Sequence, residues 1–190
     1  MSDVPLELLR VDFEKFREHC IVLRGTHNTF FSLYGNDETQ QILRKAAVWF
    51  FDDLHTILIE SYFLRVGRVC DRAKTVGKAN LSLPYVLESL ETQGLATEDI
   101  RNLAIKITSY GDLTKEARNK AVAHSDLEES RKGEILGGHT QEEMDEFLRN
   151  VNQFTDRVAG QLGLAPLDYS VQAGHGDVID LITLLKKATQ

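Results

Sequence analysis

The sequence predicts an all-α protein, a single helical bundle of five or six helices built on a long antiparallel helical hairpin. Three observations lead there. Apolar residues recur at alternating three- and four-residue intervals over most of the chain. Strand-like alternation of Val, Ile and Thr is hard to find, and only three prolines interrupt the 190 residues. Two long periodic runs are separated by little more than a Gly–Asn break, which is how a helical hairpin reads in sequence.

The first run, Leu9, Phe13, Phe16, Cys20, Leu23, His27, Phe30 and Tyr34, is spaced 4-3-4-3-4-3-4 and lies on one helical face. "YGND" at 34 to 37 ends it, with Gly35 and Asn36 as the stop signal. The second run extends from about Glu38 to Arg72, with Ile42, Ala46, Trp49, Phe50, Leu54, Ile57, Leu58, Tyr62, Val66 and Val69 at helical spacing. "KTVGKAN" (74 to 80) reads as a polar loop. Ser82 is an N-cap for a short helix carrying Leu83, Val86, Leu87 and Leu90, with Pro84 tolerated in the first turn and Gly94 beyond its end.

Thr97 opens the next pattern, Ile100, Leu103, Ile107, Tyr110, Thr114, Ala117 and Ala121. Gly111 interrupts it, and periodicity does not decide whether the helix splits there. After His124, "SDLEESRKGEILGGH" lacks periodicity and reads as an exposed loop. Thr140 and Glu143 form a capping box ahead of Met144, Phe147, Leu148, Val151, Phe154 and Val158, a helix that stops near Gly163 and Pro166. Asp177 caps a short amphipathic helix over 178–187. Residues 1–165 therefore read as the bundle, and 166–190 as a C-terminal tail packed on the same domain.

The formal net charge of −7 argues against broad, nonspecific affinity for nucleic acid and leaves room for a local basic site. No stretch reaches the roughly 20 apolar residues that a membrane span needs. The acidic start, "MSDVPLELLRVDFEKF", does not read as a signal peptide. Cys20 and Cys70 sit on apolar helix faces, as buried reduced thiols would. These features predict a cytoplasmic protein that makes no contact with a membrane.

Metal chemistry is not indicated. The six histidines (19, 27, 55, 124, 139 and 175) are scattered, and Asp52, Asp53, His55 and Glu60 offer one pair on a helix rather than a set of three or four ligands. No phosphate loop, GxSxG or CxxC is present, and no cofactor is expected.

"ARNKAVAHSD", 117 to 126, places Arg118 and His124 six residues apart across a short apolar run. Chance supplies about one such spacing in a chain of this composition, so two readings stand side by side. In one, His124 and Asp126 merely finish a helix at its negative end. In the other, a histidine near neutral pKa moves protons at an RNA ribose and a guanidinium holds the charged phosphorane. A symmetric dimer would then line one cleft with two such pairs, and Asn119 would orient the arginine or hold a ligand oxygen.

Between residues 61 and 80, Arg65, Arg68, Arg72, Lys74 and Lys78 face the single acid Asp71. Arg65, Arg68 and Arg72 share a helix face. They are either a solvated face or, with Lys74 and Lys120, a phosphate-binding surface for RNA.

These residues carry a resemblance. "RNKAVAH" is similar to the motif of the HEPN superfamily, an Arg, four to six residues and a His, with a polar residue directly after the Arg. "GRVCDRAKTVGKANLSLPYVLESL" (67 to 90) resembles the abortive-infection, AbiU-type branch. There a helix ends in a D-x-A-K turn, here Asp71 to Lys74, and an N-L-S segment opens the next, here Asn80 to Ser82. The helical order agrees along residues 1 to 160, and the tail after Pro166 has no assigned counterpart. The resemblance implies a helical bundle and a homodimer with a composite, metal-independent RNA-cleaving site. Arg118 and His124 would be catalytic, with Asn119 in support. It further implies phage defence or toxin–antitoxin function, with an antitoxin or a nucleotidyltransferase-like partner. Other members of the superfamily have lost catalysis and serve as nucleotide-, RNA- or protein-binding modules, which is the alternative expectation.

Overall fold

The computed structural model describes residues 4–115, 140–169 and 174–189. Within them the helices are α1 (Leu6–Tyr34), α2 (Asp37–Cys70), α3 (Leu83–Thr92), α4 (Glu98–Leu113), α5 (Gln141–Leu162) and α6 (Val178–Ala188). A two-stranded ribbon, β1 (Lys74–Thr75) and β2 (Lys78–Ala79), stands between α2 and α3. The fold is all-α, as the periodicity predicts. The loop reading of residues 125–139 lies outside the described residues.

α1 buries Leu9, Phe13, Phe16, Cys20, Leu23 and His27, the predicted stripe, while Phe30 and Tyr34 at its far end are half-buried. Asn36 does more than stop the helix. Its side chain accepts the Thr39 amide at 2.8 Å and so caps α2. The turn is tied on both sides, by Gln40 Nε2 donating to the Tyr34 carbonyl (2.8 Å) and by the Tyr34 hydroxyl donating to the Phe51 carbonyl (2.7 Å).

α2 departs from the unbroken run that spacing predicts. Ala47 is non-helical (φ −165°, ψ 77°) and bends the helix there. Leu43 and Phe51 are buried, whereas Trp49, Phe50 and Ile57 are exposed. The reason lies in the three successive aromatics Trp49, Phe50 and Phe51: spacing cannot say which of adjacent apolar residues faces inward, and the bend changes the phase.

The main core joins five helices. Phe13 and Phe16 of α1 meet Tyr62, Val66 and Val69 of α2, Val86 and Leu90 of α3, Ile100 and Ile107 of α4, and Phe147, Val151, Phe154 and Val158 of α5. A smaller cluster of Leu33, Leu43 and Phe51 is covered by Val178, Ile182 and Leu185 of α6. Two arginines of α1 serve the far end of α5: Arg10 Nε donates to the Leu162 carbonyl (3.0 Å) and Arg17 Nη1 to the Ala165 carbonyl (2.7 Å). Arg10 satisfies an acceptor that the helix terminus leaves open, where a cation is also favoured by the dipole, and Arg17 ties down the chain just beyond it.

Gly111 does not split α4. A β-carbon there would stand 2.5 Å from Cys70 Cβ and 2.6 Å from Cys70 Sγ, so the glycine lets α4 press against the end of α2. The Cys70 thiol reaches the Ile107 carbonyl at 3.6 Å in the same contact. Burial pushes the Cys20 thiol far above its ordinary value. The Thr140–Glu143 capping box forms as expected, and Gly163 closes α5 in the left-handed conformation (φ 68°). Among the described residues no helix is long and apolar enough to cross a membrane.

Candidate functional site

The basic stretch sits where α2 ends and the chain turns into α3. Arg65 is half-buried and donates through Nε to Ser61 Oγ at 3.1 Å, while Arg68 is exposed in the last turn of α2. A cation in that turn also complements the helix dipole, so position alone gives Arg68 a structural role. Asp71 leaves the helix in extended conformation, its amide still bonded to the Gly67 carbonyl at 2.7 Å.

Residues 74 to 80, which read as a polar loop, instead form a hairpin with Lys74 opposite Ala79 and Thr75 opposite Lys78. Strand alternation puts Lys74 and Lys78 on opposite faces of the ribbon. The two-residue connection, Val76 (φ 48°) and Gly77 (φ 78°), has positive φ at both positions, as tight hairpin turns require. Sequence reasoning missed the hairpin because Val-Gly is not a usual hairpin pair, and each strand is only two residues long.

Asn80 closes the base of the ribbon. Its amide nitrogen in the backbone bonds to the Ala73 carbonyl (2.8 Å), and its side chain donates to the Arg72 carbonyl (2.8 Å) and to Thr75 Oγ1 (2.7 Å). The D-x-A-K and N-L-S stretches are thus two halves of one clamp. Buried Ala73 and Leu83 anchor it to the core, and Arg72, Lys74 and Lys78 are left exposed. Ser82 holds the N-cap position with extended backbone, but its hydroxyl makes no capping bond.

Arg118, Asn119, Lys120 and His124 lie outside the described residues. What the structure shows is how the chain is held on either side of them. Tyr110, near the end of α4, shares a hydrogen bond with Tyr62 of α2 (3.1 Å) and stacks on Phe147 of α5, with ring centroids 4.4 Å apart. Thr114 is buried and donates to the Gly111 carbonyl. The chain returns at Thr140, directly into the capping box of α5. The 116–139 segment is therefore delivered and collected by elements locked to the same core.

The remaining polar candidates resolve into structural roles. His55 packs its ring against Phe30 and Tyr34, at 5.3 and 4.8 Å between centroids. Among the described residues, no group of three or more His, Cys, Asp or Glu side chains is placed to hold a metal ion. His27 is buried beside Phe31 and Tyr62, with Nε2 3.4 Å from Asp145 Oδ1. Burial holds its imidazole below the ordinary value, with Asn28 and Asp145 pulling the other way. A cavity of about 340 Å³ opens between α1 and α6 near Arg24 and Asp168, and another of about 300 Å³ lies at the bend of α2. Neither is lined by Arg65, Arg68, Arg72, Lys74 or Lys78.

The arrangement can hold phosphate groups. Exposed Arg72, Lys74 and Lys78 surround one clamped turn, the two lysines on its opposite faces, with Arg68 one helical turn away, and a guanidinium fork and ammonium groups both suit phosphate oxygens.

No curated protein and no solved structure matches the chain. A family model described as AbiU2, of the HEPN type, matches residues 9–181, from the first turn of α1 past Pro166 into α6. With the helical bundle and the clamp of Asp71 to Ser82 in place, that match covers nearly all of the chain, and the chain belongs to the HEPN AbiU2 family.

Proposed function

We propose that this chain is a metal-independent endoribonuclease that acts inside the cell in abortive infection or as the toxin of a toxin–antitoxin pair. One observation carries the reading: a member of the HEPN AbiU2 family retains both Arg118 and His124, with Asn119 directly after the arginine. In this mechanism His124 takes the proton from a ribose 2′-hydroxyl. The 2′-oxygen attacks the adjacent phosphorus, and the 5′-oxygen departs with a proton, leaving a 2′,3′-cyclic phosphate and a 5′-hydroxyl. Arg118 offsets the added negative charge on the phosphorane, and Asn119 steadies the arginine.

Arg65, Arg68, Arg72, Lys74 and Lys120 supply phosphate contacts along the RNA. The active form is a homodimer with one Arg–His pair from each copy. An exposed row on α2 supports this: Phe50, Ile57 and Leu64 are seven residues apart and 61%, 57% and 41% exposed, with Trp49 beside them. The row is symmetric about Ile57, so a two-fold antiparallel pairing sets Phe50 of each copy against Leu64 of the other. An antitoxin or a nucleotidyltransferase-like protein restrains the activity between infections.

The test is incubation of purified protein with mixed cellular RNA in EDTA, beside His124→Ala and Arg118→Ala. Defined fragments with cyclic phosphate ends should come from wild type alone. Equal cleavage by both variants would sink the mechanism. The net charge of −7 favours a second reading, a non-catalytic module that binds RNA, nucleotide or protein. That module would bind without cleaving, and its expression in cells would be no more toxic than that of His124→Ala.

A further inference from the structure

The tip of the β1–β2 hairpin has a residue that the fold does not need. Val76 is 97% exposed, so it contributes nothing to the core. Its φ of 48° lies in the left-handed region, where a β-branched side chain crowds its own backbone and Gly, Asn or Asp would not. A residue that is strained, apolar and solvent-exposed loses on all three counts in the isolated protein. Such strain persists where the surroundings impose it, and it gathers at sites of function.

The surroundings do impose it here. Asn80 locks the base of the hairpin through three hydrogen bonds, to the Ala73 and Arg72 carbonyls and to Thr75 Oγ1. The tip therefore projects as a fixed wedge. Exposed Lys74 and Lys78 flank it on opposite faces, and exposed Arg72 stands at its foot.

We propose that this hairpin is an RNA-contacting wedge that selects single-stranded segments, Val76 packing on an unstacked base while Lys74, Lys78 and Arg72 hold the neighbouring phosphates. The inference rests on the RNA reading above and names the form of RNA that it prefers. In duplex RNA the base faces are stacked and the major groove is too narrow to admit side chains, so an apolar tip finds no partner there. A single strand offers both the base faces and the phosphates.

The experiment uses the full chain carrying His124→Ala, so that RNA is bound and not consumed. Fluorescence anisotropy compares an unstructured 20-nucleotide RNA with a duplex of the same length, against Val76→Gly and Lys74→Ala/Lys78→Ala. Val76→Gly should leave Tm equal to or above that of the parent, weaken single-strand binding several-fold and leave duplex binding unchanged. The double lysine variant should weaken both. Opposite signs on stability and binding separate a contact residue from one that merely folds the turn. Single-strand binding untouched by Val76→Gly, or a fall in Tm, overturns the wedge and leaves the RNA reading standing. Absence of binding to either RNA by the parent overturns both.

Discussion

Replacing Gly111 by alanine sets two effects of opposite sign against each other. By helix propensity alone, Gly→Ala inside a helix gains about 1 kcal/mol, and Gly111 has no positive φ to forbid a side chain. Against this, the new methyl would lie 2.5 Å from Cys70 Cβ and 2.6 Å from its sulfur, over 1 Å closer than a comfortable carbon contact. The β-carbon of Cys70 is fixed to the α2 backbone and cannot rotate away, so α4 must move. Overpacking of this kind costs about 1–3 kcal/mol, and an overlap with a backbone-fixed atom belongs at the upper end. The expected net is a loss of about 1–2 kcal/mol, or roughly 2–8 °C in Tm for a chain of this size. Urea unfolding followed by circular dichroism measures it. The proposed RNA cleavage should fall too, because the displaced end of α4 leads directly into the 116–139 segment. A Gly111→Ala protein as stable as wild type or more so would refute the close-contact reasoning and leave propensity as the whole account.

Two further outcomes follow from the described geometry. Burial holds the folded-state pKa of His27 below the ordinary imidazole value of 6.5, so the unfolded chain takes up the proton first. Its contribution to stability is complete above pH 6.5 and is lost as pH falls through and below that value. His27→Phe, which keeps the ring contact with Phe31, should flatten the fall in urea midpoint between pH 7 and pH 5. A slope unchanged by the substitution assigns that pH dependence elsewhere. Trp49 is the chain's single tryptophan and is 81% exposed, so its emission reports directly on the proposed pairing along α2. Emission should shift to shorter wavelength as protein concentration rises, and Ile57→Glu should abolish the shift and leave a monomer in sedimentation. Emission independent of concentration, in a protein that sediments as a dimer, would move the interface to another face.

The sequence carried different parts of this molecule with different clarity, and the differences have physical causes. α1 and α5 were legible to within a few residues because each buries one stripe against a single core, and Thr140 with Glu143 marks a start by local chemistry alone. α2 was legible as a helix but not in its facing, because the adjacent aromatics just after the bend at Ala47 satisfy more than one phase. The basic cluster was visible as composition. Its presentation on a clamped hairpin was not, since two-residue strands leave no alternation to read.

Local order and family were therefore determined by the sequence itself: where helices begin and end, which stripes are apolar, and the match of residues 9–181 to the HEPN AbiU2 family. These depend on residues within a turn or two of one another, where spacing and capping act directly. The tertiary structure alone decided that Gly111 makes room for Cys70, that Arg10 and Arg17 bind the end of α5, and that Asn80 locks a strained basic hairpin. Each of these turns on which atoms meet after folding. Arg10 and Leu162 are 152 residues apart in the chain, and no local pattern encodes a contact of that span.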